Sequence, residues 1–170
     1  MWPLIKAVRE KDIDQVSELL ESSSSADVNC SDNYGRTALM WAIVEGSPEI
    51  ALALLKSDNI RVNAADNCMN TALHFCCMQG LEVVANALLA REGIDRASKN
   101  SYGWTPVHCA SRGTNVALLK TMLEASKGVV DEKTLAGYKA IHIAIQENSK
   151  QGVRAILEAK GIMRRSKQEQ

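Results

Sequence analysis

The sequence has little proline, few aromatic residues and no long apolar run. It contains 3 prolines and 4% aromatic residues among 170 positions, while 46% of its residues are hydrophobic, enough for one continuous core. No run of about 18 apolar residues occurs, so we expect no membrane-spanning helix. The first six residues lack a basic segment followed by an apolar one, so we expect no secretion signal.

The cysteines are odd in number, and their spacing is not that of a disulfide framework. Five are present, at positions 30, 68, 76, 77 and 109. A disulfide scaffold uses an even number at regular spacings, whereas reduced thiols are typical of the cytoplasm and nucleus. The sequence therefore predicts a cytoplasmic protein, with a nuclear location also compatible.

Motifs that carry catalysis are absent as well. The sequence shows no nucleophile with a matching base, no glycine-rich phosphate loop and no paired carboxylates at a diagnostic spacing. It also shows no basic stripe interleaved with aromatic residues, the pattern that would indicate nucleic-acid binding. We therefore expect a protein that is not an enzyme, binds no cofactor, metal or nucleic acid, and acts as a monomer.

The net charge is zero, but the charge is unevenly distributed along the chain. Residues 1–85 hold 6 Lys and Arg against 12 Asp and Glu, whereas residues 86–170 hold 14 against 8. In an elongated molecule this difference would act as a dipole that orients a charged partner. Drift of surface charge without functional meaning is the alternative explanation.

One pattern recurs at a constant offset of 34 residues, in copies that begin at 35–40, 69–74, 103–108 and 137–142. A period of this size indicates a stacked array, in which each unit buries its apolar face against its neighbours. In the first of these copies Thr37 is placed to cap a helix, and Ser47 with Pro48 is placed to start a second one. Each copy therefore predicts a turn followed by two antiparallel helices.

The segment Thr105–Ala110 reads T-P-V-H-C-A and resembles the T-P-L-H-x-A motif of the ankyrin-repeat family. The resemblance covers roughly residues 2–160. It implies an all-α solenoid of stacked helix-turn-helix units with short turns or hairpins between repeats. We expect a repeat domain over 1–160, divided at 1–31, 32–65, 66–99, 100–133 and 134–160, and a polar basic tail over 161–170.

Several residues in the copies have a structural explanation. Gly35, Gly103 and Gly137 occupy a turn position that needs positive φ, and Met69 at the equivalent place predicts a strained turn. The histidines at 74, 108 and 142 cannot share one metal ion, because stacked helices lie about 8–10 Å apart. The resemblance implies that this histidine ties the turn to the adjoining helix. Cys76 occupies a position that is alanine in the other copies, which favours packing over metal binding.

Aromatic residues cluster beside the turn glycines, and the resemblance implies that turn tips and the inner faces of the first helices contact a partner. Tyr and Trp are also frequent interface hot spots. Packing of each ring on the neighbouring turn is the alternative explanation. The candidate partner-binding residues are Tyr34, Arg36, Asn70, Met78, Gln79, Tyr102, Trp104, Arg112, Tyr138, Gln146 and Glu147.

The function that these expectations support is a non-enzymatic protein–protein interaction module. It would act as an adaptor, scaffold or assembly factor that binds a protein of acidic or mixed charge on its concave face. A regulatory inhibitor subunit that covers the active site of an enzyme would use the same surface, so it stays open as the alternative.

Overall fold

A computed structural model describes residues 2–22 and 27–162, so the predicted tail lies outside the described residues from 163 onward. Regular structure in the described ranges is helical, apart from isolated β-bridges that pair Ser31 with Thr37 and Ala65 with Thr71. A short 3₁₀ turn spans Lys127–Val129. The α-helices found in these ranges are α1 Pro3–Glu10, α2 Ile13–Glu21, α3 Ala38–Val44, α4 Pro48–Leu55, α5 Ala72–Gln79, α6 Glu82–Leu89, α7 Pro106–Arg112, α8 Val116–Ala125, α9 Ala140–Gln146 and α10 Lys150–Ala159.

The helices pair in chain order, and the pairs stack in two layers. The odd-numbered helices form one layer, in which each helix contacts the next, and the even-numbered helices form the other. Each odd-numbered helix also contacts the even-numbered helix that follows it. The predicted all-α repeat solenoid is therefore confirmed.

Leucines of the second helices fill the space between neighbouring pairs. Leu54 and Leu88 are 0% exposed and Leu123 is 1% exposed. Helix α6, which carries Leu88, contacts both α4 and α8. Leu88 is thus placed at the centre of the stack, in the helix that two interfaces share.

Both predicted helix starts are confirmed, but only the first carries a side-chain capping hydrogen bond. Thr37 Oγ1 accepts a hydrogen bond of 3.3 Å from the Met40 backbone N–H at the start of α3. Ser47 occupies the position before α4, with Pro48 as the first helical residue, but its side chain makes no capping hydrogen bond. Side-chain caps do form at three other second helices, where Asp12, Asn115 and Ser149 accept backbone N–H groups.

Two lysines at the C-terminal helix pair form ion pairs with one shared acidic residue. Lys139 stands where other copies have threonine, and its Nζ lies 3.0 Å from Asp131 Oδ1. Lys160 Nζ, just after α10, lies 2.6 Å from the same oxygen. These exposed ion pairs contribute little stability on their own, but they connect the end of the stack to the turn that precedes α9.

Candidate partner-binding surface

The turns share one hydrogen-bonding scheme that positions their tips. Asp32 Oδ1 accepts from the backbone N–H groups of Tyr34 (2.8 Å) and Arg36 (2.9 Å). Asp66 and Asn100 accept the equivalent pairs in the next two turns, and Thr134 accepts one such bond. These residues stand 34 positions apart, so the fixed offset could have identified them, but sequence reasoning missed them.

Backbone hydrogen bonds join each turn to the next one. The N–H groups of Asn67, Ser101 and Leu135 donate to the carbonyl oxygens of Tyr34, Cys68 and Tyr102, respectively, over 2.9–3.0 Å. The turn tips are thereby held at regular spacing along the stack. We call the surface formed by the turns 31–37, 65–71, 99–105 and 133–139 and the odd-numbered helices the turn face.

Four turn residues adopt the left-handed conformation that the sequence predicts. The φ values are 74° at Gly35, 73° at Gly103 and 80° at Gly137. Met69 keeps the same conformation with φ of 62°. A residue with a Cβ carries backbone strain in this region, so the predicted strain in this turn is confirmed.

The repeated histidines tie their turn to the adjoining helix, as the resemblance implied, and two of them also reach the following turn. His74 Nδ1 lies 3.2 Å from the Thr71 backbone nitrogen, and its Nε2 lies 3.0 Å from the Trp104 carbonyl oxygen in the next turn. His108 makes the same contacts with Thr105 and with the Glu132 carbonyl. A carbonyl only accepts, so Nε2 carries the proton and Nδ1 accepts. Both histidines are therefore neutral structural groups.

This arrangement predicts a loss of stability in mild acid. Burial lowers the pKa of His74 and of His108 below the ordinary histidine value of 6.5, although hydrogen bonds to the next turn oppose the shift. The unfolded chain therefore takes up protons near pH 6.5 while the folded chain does not. The free energy of unfolding should consequently fall as the pH drops below about 6.5.

Urea unfolding at about pH 8 and about pH 5.5 measures this fall in the free energy of unfolding. Most carboxylates titrate below this pH range, so they contribute little to the difference. The variant His108→Gln should show a weaker pH dependence than the wild type. Equal or greater stability at the lower pH would contradict the expectation.

The turn face exposes apolar side chains at several turn tips. Tyr34 is 68% exposed, Tyr102 is 65% exposed, Leu135 is 80% exposed and Tyr138 is 44% exposed. The ring of Trp104 behaves differently, because it is half-buried against the core and lies 6.3 Å from the His108 ring. The tyrosines thus provide exposed apolar area, while Trp104 also has a packing role.

The other predicted residues fall into three local settings. Met78, Gln79 and Gln146 are exposed near the ends of their helices. Arg112 Nε lies 3.6 Å from Glu147 Oε1, so two predicted residues from adjacent helices neutralise each other. Asn70 accepts a 2.9 Å hydrogen bond from Asn100 Nδ2 and is half-buried, so its side chain already serves the turns.

Arg36 belongs to an aromatic cluster that sequence reasoning did not find. Its guanidinium carbon lies 5.1 Å from the Trp41 ring centroid and 5.5 Å from that of Phe75. Arg9, from the first helix pair, lies 4.5 Å from the same Trp41 centroid. The Trp41 indole N–H donates to Asp32 Oδ2 over 2.9 Å, which links the cluster to the turn scheme.

The cysteines offer no activated thiol at the buried positions. All five are free. Burial raises the pKa of Cys30 to about 11 and of Cys109 to about 12, and it raises those of Cys76 and Cys77 as well. Such thiols stay protonated and behave as small apolar side chains. Within the described ranges, no three potential metal ligands come together.

Stacked helix pairs joined by hydrogen-bonded turns define a helical repeat protein with an extended side surface. A family model described as ankyrin repeats (3 copies) matches residues 1–66 and 73–167. The chain therefore belongs to the ankyrin-repeat family. A search of curated proteins found no matching relative.

Ankyrin repeats are in general protein–protein interaction modules and are typically not enzymes, so a protein partner is implied. None of the helices in residues 2–22 and 27–162 has both the length and the apolarity that a membrane crossing requires.

Proposed function

We propose that this protein is a non-enzymatic adaptor, scaffold or assembly factor that binds one protein partner on the concave side of its stack, which we equate with the turn face. The observation that carries the proposal is the row of exposed apolar side chains held at fixed spacing by the turns. Aromatic side chains with a polar tip are favourable contact residues, because they bury much area at low entropic cost. The protein acts as a monomer in the cytoplasm or nucleus.

The main contact region comprises the turn tips and first helices of the last three repeats. Tyr102, Trp104 and Tyr138 anchor the partner, and Leu135 adds further apolar area between the two tyrosines along the chain. Trp104 and Tyr138 are equivalent residues one repeat apart, so we expect their rings to form one amphipathic patch. The positive balance of residues 86–170 favours a partner segment of acidic or mixed charge.

Replacement of Tyr138 by alanine tests this region most directly. A partner captured from the cells that make the protein is identified, purified and titrated against wild-type chain and variants. A desolvated aromatic hot spot is worth at least about 2 kcal/mol, so Tyr138→Ala should weaken binding roughly thirtyfold. Trp104→Ala should act in the same direction, once an unchanged melting temperature has shown that its half-buried ring is not needed for folding.

Val83→Ala is the matched control for this test. Val83 is 63% exposed on α6, a helix of the other layer, so its removal takes away apolar area outside the turn face. It should leave the affinity unchanged. Unaltered affinity in both aromatic variants would contradict the assignment and move the interface toward Tyr34 and Glu45.

A regulatory inhibitor of an enzyme remains the second candidate, because the same surface could cover an active site. If the captured partner is an enzyme, its turnover is measured with and without the chain. Loss of turnover that Tyr138→Ala restores supports inhibition, whereas unchanged turnover supports an adaptor or scaffold.

A further inference from the structure

Two arginines from different helix pairs meet at one indole ring on the turn face. The guanidinium carbon of Arg9 lies 4.5 Å from the Trp41 ring centroid, and that of Arg36 lies 5.1 Å from the same point. Arg36 also lies 5.5 Å from the Phe75 centroid and 6.0 Å from that of Tyr34. We call these five residues the arginine cluster.

The two arginines of the arginine cluster form no ion pair within the described part of the chain. In residues 2–22 and 27–162 neither Arg9 nor Arg36 lies within ion-pair distance of a carboxylate, whereas Arg112 is paired with Glu147. Arg36 Nε is buried and has no hydrogen-bond acceptor among the residues that the structure describes. A buried donor without an acceptor costs free energy, so an incoming acceptor would be favoured here.

The acidic residue of this network, Asp32, interacts electrostatically with Arg36, but its oxygens already accept hydrogen bonds from the turn and the indole. Its Oδ1 accepts the backbone N–H groups of Tyr34 and Arg36, and its Oδ2 accepts the Trp41 indole N–H. Asp32 therefore holds the indole in place. The guanidinium groups form no ion pair with the described residues, so they can donate to another acceptor.

From this geometry we propose that the arginine cluster binds a single glutamate or aspartate side chain of the protein partner, within an otherwise apolar segment. A guanidinium stacked on an aromatic ring keeps its edge free to donate two parallel hydrogen bonds to a carboxylate. The ring contacts also restrict the arginine side chains before binding, which reduces the entropy lost on association. The inference rests on the proposed protein-binding function and adds a second contact region at the opposite end of the turn face.

The surrounding charges and side chains select a lone carboxylate over an acidic run. Residues 1–85 carry twice as many acidic as basic residues, 12 against 6, so a run of acidic residues would be repelled. The cluster itself contains the exposed ring of Tyr34, and the exposed Met78 lies one helical turn beyond Phe75. The segment that fits has a carboxylate between apolar side chains.

The test uses three blocked tripeptides as probes: Leu-Glu-Phe, its neutral match Leu-Gln-Phe and the acidic run Glu-Glu-Glu. Binding is followed by the NMR signals of the Trp41 indole N–H and the Arg36 Nε–H. We expect Leu-Glu-Phe to bind about tenfold more tightly than Leu-Gln-Phe, the gain typical of a charge-assisted hydrogen bond. Glu-Glu-Glu should bind more weakly than Leu-Glu-Phe.

Variants assign the preference to the cluster. In Arg9→Gln and in Arg36→Lys, which keeps the charge but loses the planar fork, the preference for glutamate over glutamine should fall to about twofold or less. Arg61→Gln removes the same charge from an exposed loop in the same half and should leave the preference unchanged.

Three results would each overturn the inference. The first is equal affinity for the two Leu peptides, and the second is tightest binding of Glu-Glu-Glu. The third is no change in the Trp41 and Arg36 signals at the highest peptide concentration. Because the probes are independent of the natural partner, such a result leaves the Tyr138→Ala test intact, and a failure of that test leaves this one interpretable.

Discussion

Replacing Leu88 with alanine should lower the free energy of unfolding by about 2–5 kcal/mol, the usual cost of truncating a fully buried leucine. Leu88 is 0% exposed and belongs to α6, which contacts the second helices on both sides. In a repeat array the stability is approximately a sum of repeat and nearest-neighbour terms. A cavity at Leu88 therefore weakens two interfaces. We expect the loss of unfolding free energy to lie in the upper part of this range.

Urea melts of Leu88→Ala and Val83→Ala provide the measurement and its matched control. Val83 lies on the same helix but is 63% exposed, so its truncation should change stability by no more than about 0.5 kcal/mol. If Leu88→Ala behaved like Val83→Ala, the placement of Leu88 between the stacked pairs would be wrong.

Gly103→Ala should destabilise the protein much more than Gly137→Ala, although both glycines have nearly the same backbone conformation. Their φ values are 73° and 80°, so either substitution carries the cost of the left-handed region, about 1–2 kcal/mol. A Cβ on Gly103 would also lie 2.7 Å from the Leu135 backbone nitrogen and 3.1 Å from Leu135 Cγ. Apart from its chain neighbours, a Cβ on Gly137 would meet no atom of the described residues within 4 Å.

The crowding at Gly103 should increase the loss of unfolding free energy by about 1–3 kcal/mol, as overpacking typically does. It acts beside the hydrogen bond from the Leu135 N–H to the Tyr102 carbonyl, 3.0 Å long, which joins the last two turns. Gly137→Ala is thus the matched control, because it measures the cost of the backbone conformation alone. Equal losses of unfolding free energy in the two variants would show that the turns are not packed as described.

The proposed function depends on these turns, because they carry the exposed tyrosines and one side of the arginine cluster. Gly103→Ala is therefore expected to impair partner binding through the spacing of the tips, even though Gly103 has no side chain to contact a partner. Gly103→Ala should lower both the affinity for the partner and the stability, whereas Tyr138→Ala should lower the affinity alone.

Local features of the fold were predictable because they depend on residues close in the chain. The 34-residue offset predicted the helix pairs, Thr37 was correctly identified as a cap, and the position of Met69 predicted a strained turn. Ser47 shows the limit of such reasoning, because its residue type favours a cap that its side chain does not make.

Side-chain roles at the candidate site were less predictable, since they depend on what the neighbouring repeat supplies. Asn70 was selected as a contact residue, but Asn100 of the next turn uses its side-chain oxygen. Arg112 was also selected as a contact residue, but Glu147, directly after the next first helix, lies beside it. Neither partner can be identified from the residue type alone.

The sequence by itself determined the repeat period, the helix pairs, the positive-φ turn positions and the family, because each follows from residues at fixed short spacing within one unit. Only the tertiary structure decided that Trp104 is half-buried while Tyr102 and Tyr138 are exposed, and that Arg9 and Arg36 share the Trp41 ring. The physical reason is that burial and charge pairing depend on distances between units. The stacking of neighbouring helices sets those distances, and a one-dimensional pattern does not contain them.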